Sequence, residues 1–125
     1  DYCASTGGDM GKASLAYGRG KIINAAALYN TLALDGVWLD FRDPDGCREE
    51  TLYVKTMGFK GRFAIHPDQI KPIHDAYRPT TEELEWAKGV LEEAKTAGSG
   101  AFKYQGKMVD APVLAVARLI ISRED

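Results

Sequence analysis

The stretch Asp35-Gly36-Val37-Trp38-Leu39-Asp40-Phe41-Arg42 decides how the rest of the chain is read. It is rich in β-favouring residues and it alternates. Val37, Leu39 and Phe41 project to one side and Trp38, Asp40 and Arg42 to the other, the period of two that marks a strand. Gly61-Arg62-Phe63-Ala64-Ile65-His66 has the same character. Between them, Asp43-Pro44-Asp45-Gly46 forms a turn that also caps a helix over about 47–57. Leu52, Tyr53, Thr56 and Met57 make the buried stripe of that helix, and Gly58 is placed to end it. Strands and helices that alternate at this length build a parallel α/β sheet from βα units.

Working outward, residues 5–14 read as a glycine-rich loop. A helix is expected from about Tyr17 to Leu32, with Ile22, Ile23, Ala26, Ala27 and Asn30 at helical spacing. Downstream, Pro67 opens a short helix where its missing N–H costs nothing, with Ile70, Ile73 and Tyr77 on the apolar side. Arg78-Pro79 breaks it. Thr80-x-x-Glu83 is a capping box for a helix to about Thr96, which carries Leu84, Ala87, Val90, Leu91 and Ala94 on one face. Gly98-Ser99-Gly100 reads as a flexible joint and 101–109 as a hairpin around Gln105-Gly106. A last helix runs from about Ala111 to Ile121, with Val113, Leu114, Ala117, Ile120 and Ile121 inward. Two strands cannot form a sheet covered on both faces, so the remaining strands are expected upstream of Asp1. A chain that begins with Asp rather than Met fits the same expectation of a missing N-terminal part.

The 125 residues are 45% hydrophobic and 27% charged, with a net charge of −2, the balance of a soluble globular domain. No Lys/Arg block supplies the basic footprint that nucleic-acid binding requires. No apolar run approaches the roughly 18–20 residues that span a bilayer, and no signal-peptide pattern is present. Cys3 and Cys47 do not form a CxxC motif and are expected to be inert free thiols of a reducing interior.

In parallel α/β folds the working groups lie where strands end and helices begin. Asp40 and Arg42 stand there at the end of the first strand, on the face that points inward in a barrel, and His66 ends the second. Polar groups on such a face are costly unless satisfied, which makes them site candidates. A structural ion-pair network for Asp40 and a capping or core role for His66 remain open. His74 reads as a surface residue. Gly18-Arg19-Gly20 sits inside a helical pattern without a preceding strand and is not a phosphate loop. Asp110 falls just before a helix, where an N-cap is the plain structural reading.

Five segments, in order, resemble one family. They are Asp1-Tyr2-Cys3-Ala4-Ser5; Tyr17-Gly18-Arg19-Gly20-Lys21-Ile22-Ile23-Asn24-Ala25-Ala26; Leu34-Asp35-Gly36-Val37-Trp38-Leu39-Asp40-Phe41-Arg42-Asp43; Gly58-Phe59-x-Gly61-x-x-Ala64-Ile65-His66-Pro67-x-Gln69-Ile70; and Gly106-Lys107-Met108-Val109-Asp110-Ala111-Pro112. Together they resemble the citrate lyase β-subunit-like proteins of the HpcH/HpaI aldolase superfamily. Gly18 departs from the alanine usual in the second segment.

The resemblance implies a (β/α)8 TIM barrel, entered at the end of strand six. Residues 1–78 would hold strands seven and eight, and residues 79–125 a helix–hairpin–helix extension or lid. It implies a Mg2+ ion held by Asp1 together with a Glu that has no counterpart in this chain. It implies Asp110 as an acid/base that reaches a neighbouring subunit of a homo-oligomer, and Asp40, His66 and Pro67 near the coenzyme A entrance. The expected reaction is a reversible Claisen-type cleavage of a malyl-CoA, β-methylmalyl-CoA or citramalyl-CoA, releasing glyoxylate or pyruvate. The expected location is cytoplasmic, or the mitochondrial matrix in a eukaryote. The alternatives are a citrate lyase β subunit that acts on a citryl thioester of an acyl carrier protein, or a non-catalytic assembly module.

Overall fold

The computed structural model describes residues 1–98 and 100–124. It divides into two compact units, Asp1–Tyr77 and the segment from Arg78 on. No helix among the described residues is long and apolar enough to cross a membrane.

In the first unit, α1 (Tyr2–Thr6) is followed by α2 (Lys12–Leu28). α2 starts five residues earlier than the apolar spacing suggests. Asp9 supplies the start: its Oδ1 accepts from the Gly11 N–H at 2.9 Å and from Ser14 Oγ at 2.6 Å. Those bonds, Ser14 first, hold its carboxyl below the ordinary aspartate value. The expected apolar face of α2 is only partly buried. Ala26 is buried and Ile23 half-buried, whereas Ile22 and Leu28 are exposed.

β1 (Leu34–Asp35) and β2 (Gly61–Arg62) pair in parallel, Leu34 opposite Gly61 and Asp35 opposite Arg62. Backbone bonds from Lys60 N to Ala33 O (2.9 Å) and from Phe63 N to Asp35 O (3.2 Å) flank them. Both strands are far shorter than their alternating sequences indicate. After Asp35 the first chain leaves the pair and turns at 40–43, where Asp40 Oδ1 accepts from the Arg42 N–H at 3.0 Å. Alternation favours a strand, but a strand also needs a neighbour's peptide groups to pair with, and here that pairing stops.

α3 (Pro44–Met57) has Asp43 as its N-cap, Oδ1 accepting from Gly46 N–H at 2.9 Å, and ends at Gly58 with φ 115°. Its buried residues are Cys47, Glu50, Thr51 and Val54, a perfect i, i+3, i+4, i+7 stripe. The expected stripe of Leu52, Tyr53, Thr56 and Met57 is therefore rotated: Thr56 is exposed and the other three are half-buried. The core is Ala26, Ala33, Val54 and Phe59, with Ile23, Tyr53 and Met57 against it. A 3-10 turn at Pro67–Gln69 leads into α4 (Ile70–Tyr77), which buries Pro72, Ile73 and Ala76. Ile70, expected inside, is exposed.

The second unit follows its sequence pattern closely. Thr80 and Glu83 form the reciprocal capping box of α5 (Thr81–Ala97), with bonds of 3.1 and 2.9 Å. β3 (Phe102–Tyr104) and β4 (Lys107–Val109) pair antiparallel. Gln105 and Gly106 between them take the two positive φ values, 47° and 80°, of a type I′ turn. α6 (Ala111–Ile121) completes a core of Ala87, Val90, Val109 and Ala117. Of the expected joint, Ser99 lies outside the described residues; Gly98 ends α5 at φ 77°.

Gly89 is fixed by the hairpin. A Cβ added there would stand 1.9 Å from Tyr104 Oη and 2.7 Å from its Cζ. Gly89→Ala should therefore displace the Tyr104 ring. The helix-propensity gain of up to about 1 kcal/mol is outweighed by overpacking of about 1–3 kcal/mol. A lower thermal midpoint for Gly89→Ala is the expected result, and the same substitution should cost less in a Tyr104→Ala background, where the clash is absent.

Candidate functional site at the strand ends

The parallel pair delivers two loops, residues 36–43 and 63–66, past the carboxyl ends of β1 and β2. Asp40, Phe41 and Arg42 sit on the first and His66 on the second. Phe41 stacks on the His66 ring with centroids 4.7 Å apart and planes 24° apart, and the Arg42 guanidinium lies 5.3 Å from the Phe41 centroid. His66 Nδ1 accepts from Asp68 N–H at 3.2 Å as the N-cap of the 3-10 turn, with Pro67 as its first residue. That bond places the proton of a neutral ring on Nε2. The capping role is thus present, and the ring remains partly open to solvent, its side chain 39% exposed.

Asp40 does not occupy a strand. Its carboxylate is exposed and closes a local turn, because the strand that would have aimed it inward ends five residues earlier.

The buried charge lies one layer away, on the side of the strand pair that faces α2 and α3. Arg19 makes a two-toothed contact with Asp35, Nε to Oδ1 and Nη2 to Oδ2, both at 3.0 Å, and a 2.9 Å bond to Glu50 Oε1. Arg62 donates to Asp35 Oδ2 at 2.7 Å and to Gly36 O at 3.0 Å. Glu50, Arg19, Asp35 and Arg62 form an alternating quartet with no net charge, every side chain at most 11% exposed. Burial pushes the Arg19 guanidinium down, but Asp35 and Glu50 outweigh it and hold it above its ordinary value. Nearby, burial raises the Cys47 thiol against the pull of Arg62, so it stays protonated and inert.

Gln69, 1% exposed, bridges the two loops. Its Oε1 accepts from Ile65 N–H at 2.9 Å and its Nε2 donates to Trp38 O at 2.6 Å. Trp38 itself is wedged against Gly46, and its indole Nε1 is buried with no hydrogen-bond partner among the described residues. Trp38, Asp40, Lys12, Arg19, Glu50 and Arg62 are among the residues lining a cavity of about 400 Å3.

Asp1 stands at the N-cap of α1 with no side-chain cap bond, exposed, and lines a second cavity of about 330 Å3 with Tyr2, Gly18, Arg19 and Asp35. Both Asp35 oxygens are committed to arginines, so Asp1 is the carboxylate of that lining open to a cation. One carboxylate beside room for water and substrate oxygens suits Mg2+, which keeps much of its shell outside the protein. No group of three or more His, Cys, Asp or Glu among the described residues could enclose a metal. Gly18 has its own packing reason, since a Cβ there would meet the Tyr2 ring at 3.1 Å.

In the second unit Asp110 is the N-cap of α6, Oδ1 accepting from Val113 N–H at 3.2 Å. The structure thus brings Asp40 and His66 to one end of the strand pair and gives Asp110 a cap bond in its own unit.

Asp35, Glu50, Arg62 and Gln69 were not named as site residues by the sequence reading, and Arg19 was weighed there only as part of a phosphate loop and set aside. Glu50 shares the spacing of Cys47, Thr51 and Val54, the signal that would have placed a charge on the inner face of α3.

Comparison with known proteins shows the family of the chain. The family of carbon–carbon bond lyases of the TIM-barrel fold matches residues 20–124. A mitochondrial citramalyl-CoA lyase of Rattus norvegicus is 36% identical over 98% of this chain, and a citrate lyase subunit beta-like protein of Mycobacterium tuberculosis is 42% identical over 84%. The chain spans 38% of the length of each. A crystal structure of CitE from Mycobacterium tuberculosis, in complex with magnesium, acetoacetate and coenzyme A, superposes with a TM-score of 0.82. It is 36% identical, and the match covers 98% of this chain and 48% of that one.

Proposed function

This chain belongs to the carbon–carbon bond lyase family of the TIM-barrel fold, and on that premise we propose that the whole protein is a Mg2+-dependent lyase of CoA thioesters. The substrate class is a 3-hydroxyacyl-CoA of the malyl, β-methylmalyl or citramalyl type, cleaved reversibly to a thioester and an oxoacid. The observation that carries this reading is the close superposition on a protein seen with magnesium, acetoacetate and coenzyme A. In this assignment β1 and β2 are strands seven and eight of the barrel and the second unit is a C-terminal extension.

Each residue then has a defined task. Asp1 would hold the Mg2+. When bound, the cation stabilises the negative charge that develops at the oxoacid carbonyl. Asp40, His66 and Pro67 border the strand-end mouth, where a His66 Nε2–H donor and the adjoining Arg42 face an anionic thioester. Asp110 keeps Oδ1 in its cap bond and uses Oδ2 to return a proton to the thioester α-carbon after cleavage, or to remove it in the reverse direction. That residue would act on the site of a neighbouring subunit of a homo-oligomer, in the cytoplasm or, in a eukaryote, the mitochondrial matrix.

The test is a spectrophotometric assay of the whole protein with Mg2+ and each of the three thioesters in parallel. Release of glyoxylate from malyl-CoA or β-methylmalyl-CoA, or of pyruvate from citramalyl-CoA, is expected from one of them, and chelation should abolish it. Silence on all three with Mg2+ bound would overturn the reading in favour of a citryl thioester of an acyl carrier protein.

A further inference from the structure

We propose that Gln69 is a positioning residue whose side-chain amide replaces a rung of the parallel ladder and holds the two strand-end loops apart at a fixed distance. The register makes this visible. Phe63 N–H bonds to Asp35 O, so the next rung would run from Ile65 N–H to Val37 O. That rung is replaced. Ile65 N–H goes to Gln69 Oε1, and Gln69 Nε2 donates onward to Trp38 O.

A carboxamide carries the same acceptor and donor as a peptide group, so Ile65 N–H and Trp38 O both stay satisfied by a side chain that is itself 1% exposed. Two hydrogen bonds with an amide between them span more than one. The strands are therefore splayed at their carboxyl ends while Ile65 N–H and Trp38 O each keep a partner. Ile65 adjoins His66, and Trp38 is two residues from Asp40, so the gap set by Gln69 fixes where those side chains stand. The effect on catalysis rests on the lyase reading above; the effect on the loops does not.

Two variants of the whole protein separate the possibilities. Gln69→Leu fills the space but removes both bonds. Gln69→Glu keeps the acceptor for Ile65 N–H; ionised, it repels Trp38 O, and protonated, it donates to it as the amide does. Hydrogen exchange read by mass spectrometry should accelerate in peptides covering 36–43 and 63–66 for Gln69→Leu, with α3 and α4 unchanged. In turnover, a displacement on this scale should lower kcat/KM by about 10–100-fold. For Gln69→Glu the activity relative to wild type should climb as pH falls.

Unchanged exchange at 63–66 would overturn the proposal, as would acceleration spread evenly through α3 and α4, since either makes Gln69 a plain core residue. A flat Gln69→Glu to wild-type ratio across pH would overturn it equally. If the wild-type protein cleaves no thioester, the lyase reading fails and the exchange pattern alone decides the positioning one.

Discussion

Asp35→Ala is expected to destabilise the first unit by about 3–5 kcal/mol, the range for removing one partner of a buried ion pair. Asp35 carries both oxygens' worth of bonds to two arginines that are 6% and 2% exposed at the side chain. Without it, two guanidiniums remain buried, close together and short of a counter-charge. A loss of that size is a large share of the total stability of a domain, about 5–15 kcal/mol. Thermal unfolding followed by circular dichroism should show the first transition fall by many degrees.

The quartet also predicts a non-additive result. Removing Asp35 and Arg62 together, as Asp35→Leu with Arg62→Met, leaves the Glu50–Arg19 pair neutral. The double variant should be more stable than Asp35→Ala alone, because a repulsive buried charge is gone. A double variant as unstable as the sum of its singles would sink this account of the quartet. Alkaline pH should not release the network in any ordinary buffer. Arg19 is raised in the folded state, so its contribution is complete below the ordinary arginine value and is lost only above it.

The second large effect concerns Asp110. Its observed role as a helix cap and its proposed role as an acid/base separate in Asp110→Asn. Asparagine is as good an N-cap as aspartate and can still accept from Val113 N–H, but it cannot move a proton. On the proposed function, Asp110→Asn should lower kcat by about 100–10,000-fold, the range for a general acid or base, with an unchanged melting temperature. Asp110→Ala should show the same loss of turnover plus about 1 kcal/mol of instability. If Asp110→Asn keeps full turnover and Asp110→Ala loses only stability, the residue is a cap and nothing more. Mg2+ binding should be the same in both variants, because on the proposed function the metal would be held by Asp1 and not by this residue.

Much of the second unit was legible in the sequence because each of its signals is local. The Thr80–Glu83 box, the Gln105-Gly106 turn and the Asp110 cap each act within four residues, and the apolar faces of α5 and α6 point where their spacing says. The first unit was legible in outline. The order of helix, short strand, helix, short strand and the caps at Asp43, Gly58 and Pro67 follow from residue type.

What the sequence by itself determined, then, is the elements from α2 onward, most of their caps and the family to which the chain belongs; the short helix α1 at Tyr2–Thr6 was not read from it. How far each strand runs and which face of α3 is buried were decided by tertiary structure. Strand length depends on the neighbour's peptide groups, and at Ile65 and Trp38 a side chain thirty-one residues downstream of Trp38 takes their place. The face of α3 depends on what Glu50 meets. An isolated carboxylate belongs in water, but one 2.9 Å from Arg19 is satisfied inside, and the cost of burying a charge is settled only by where its partner stands.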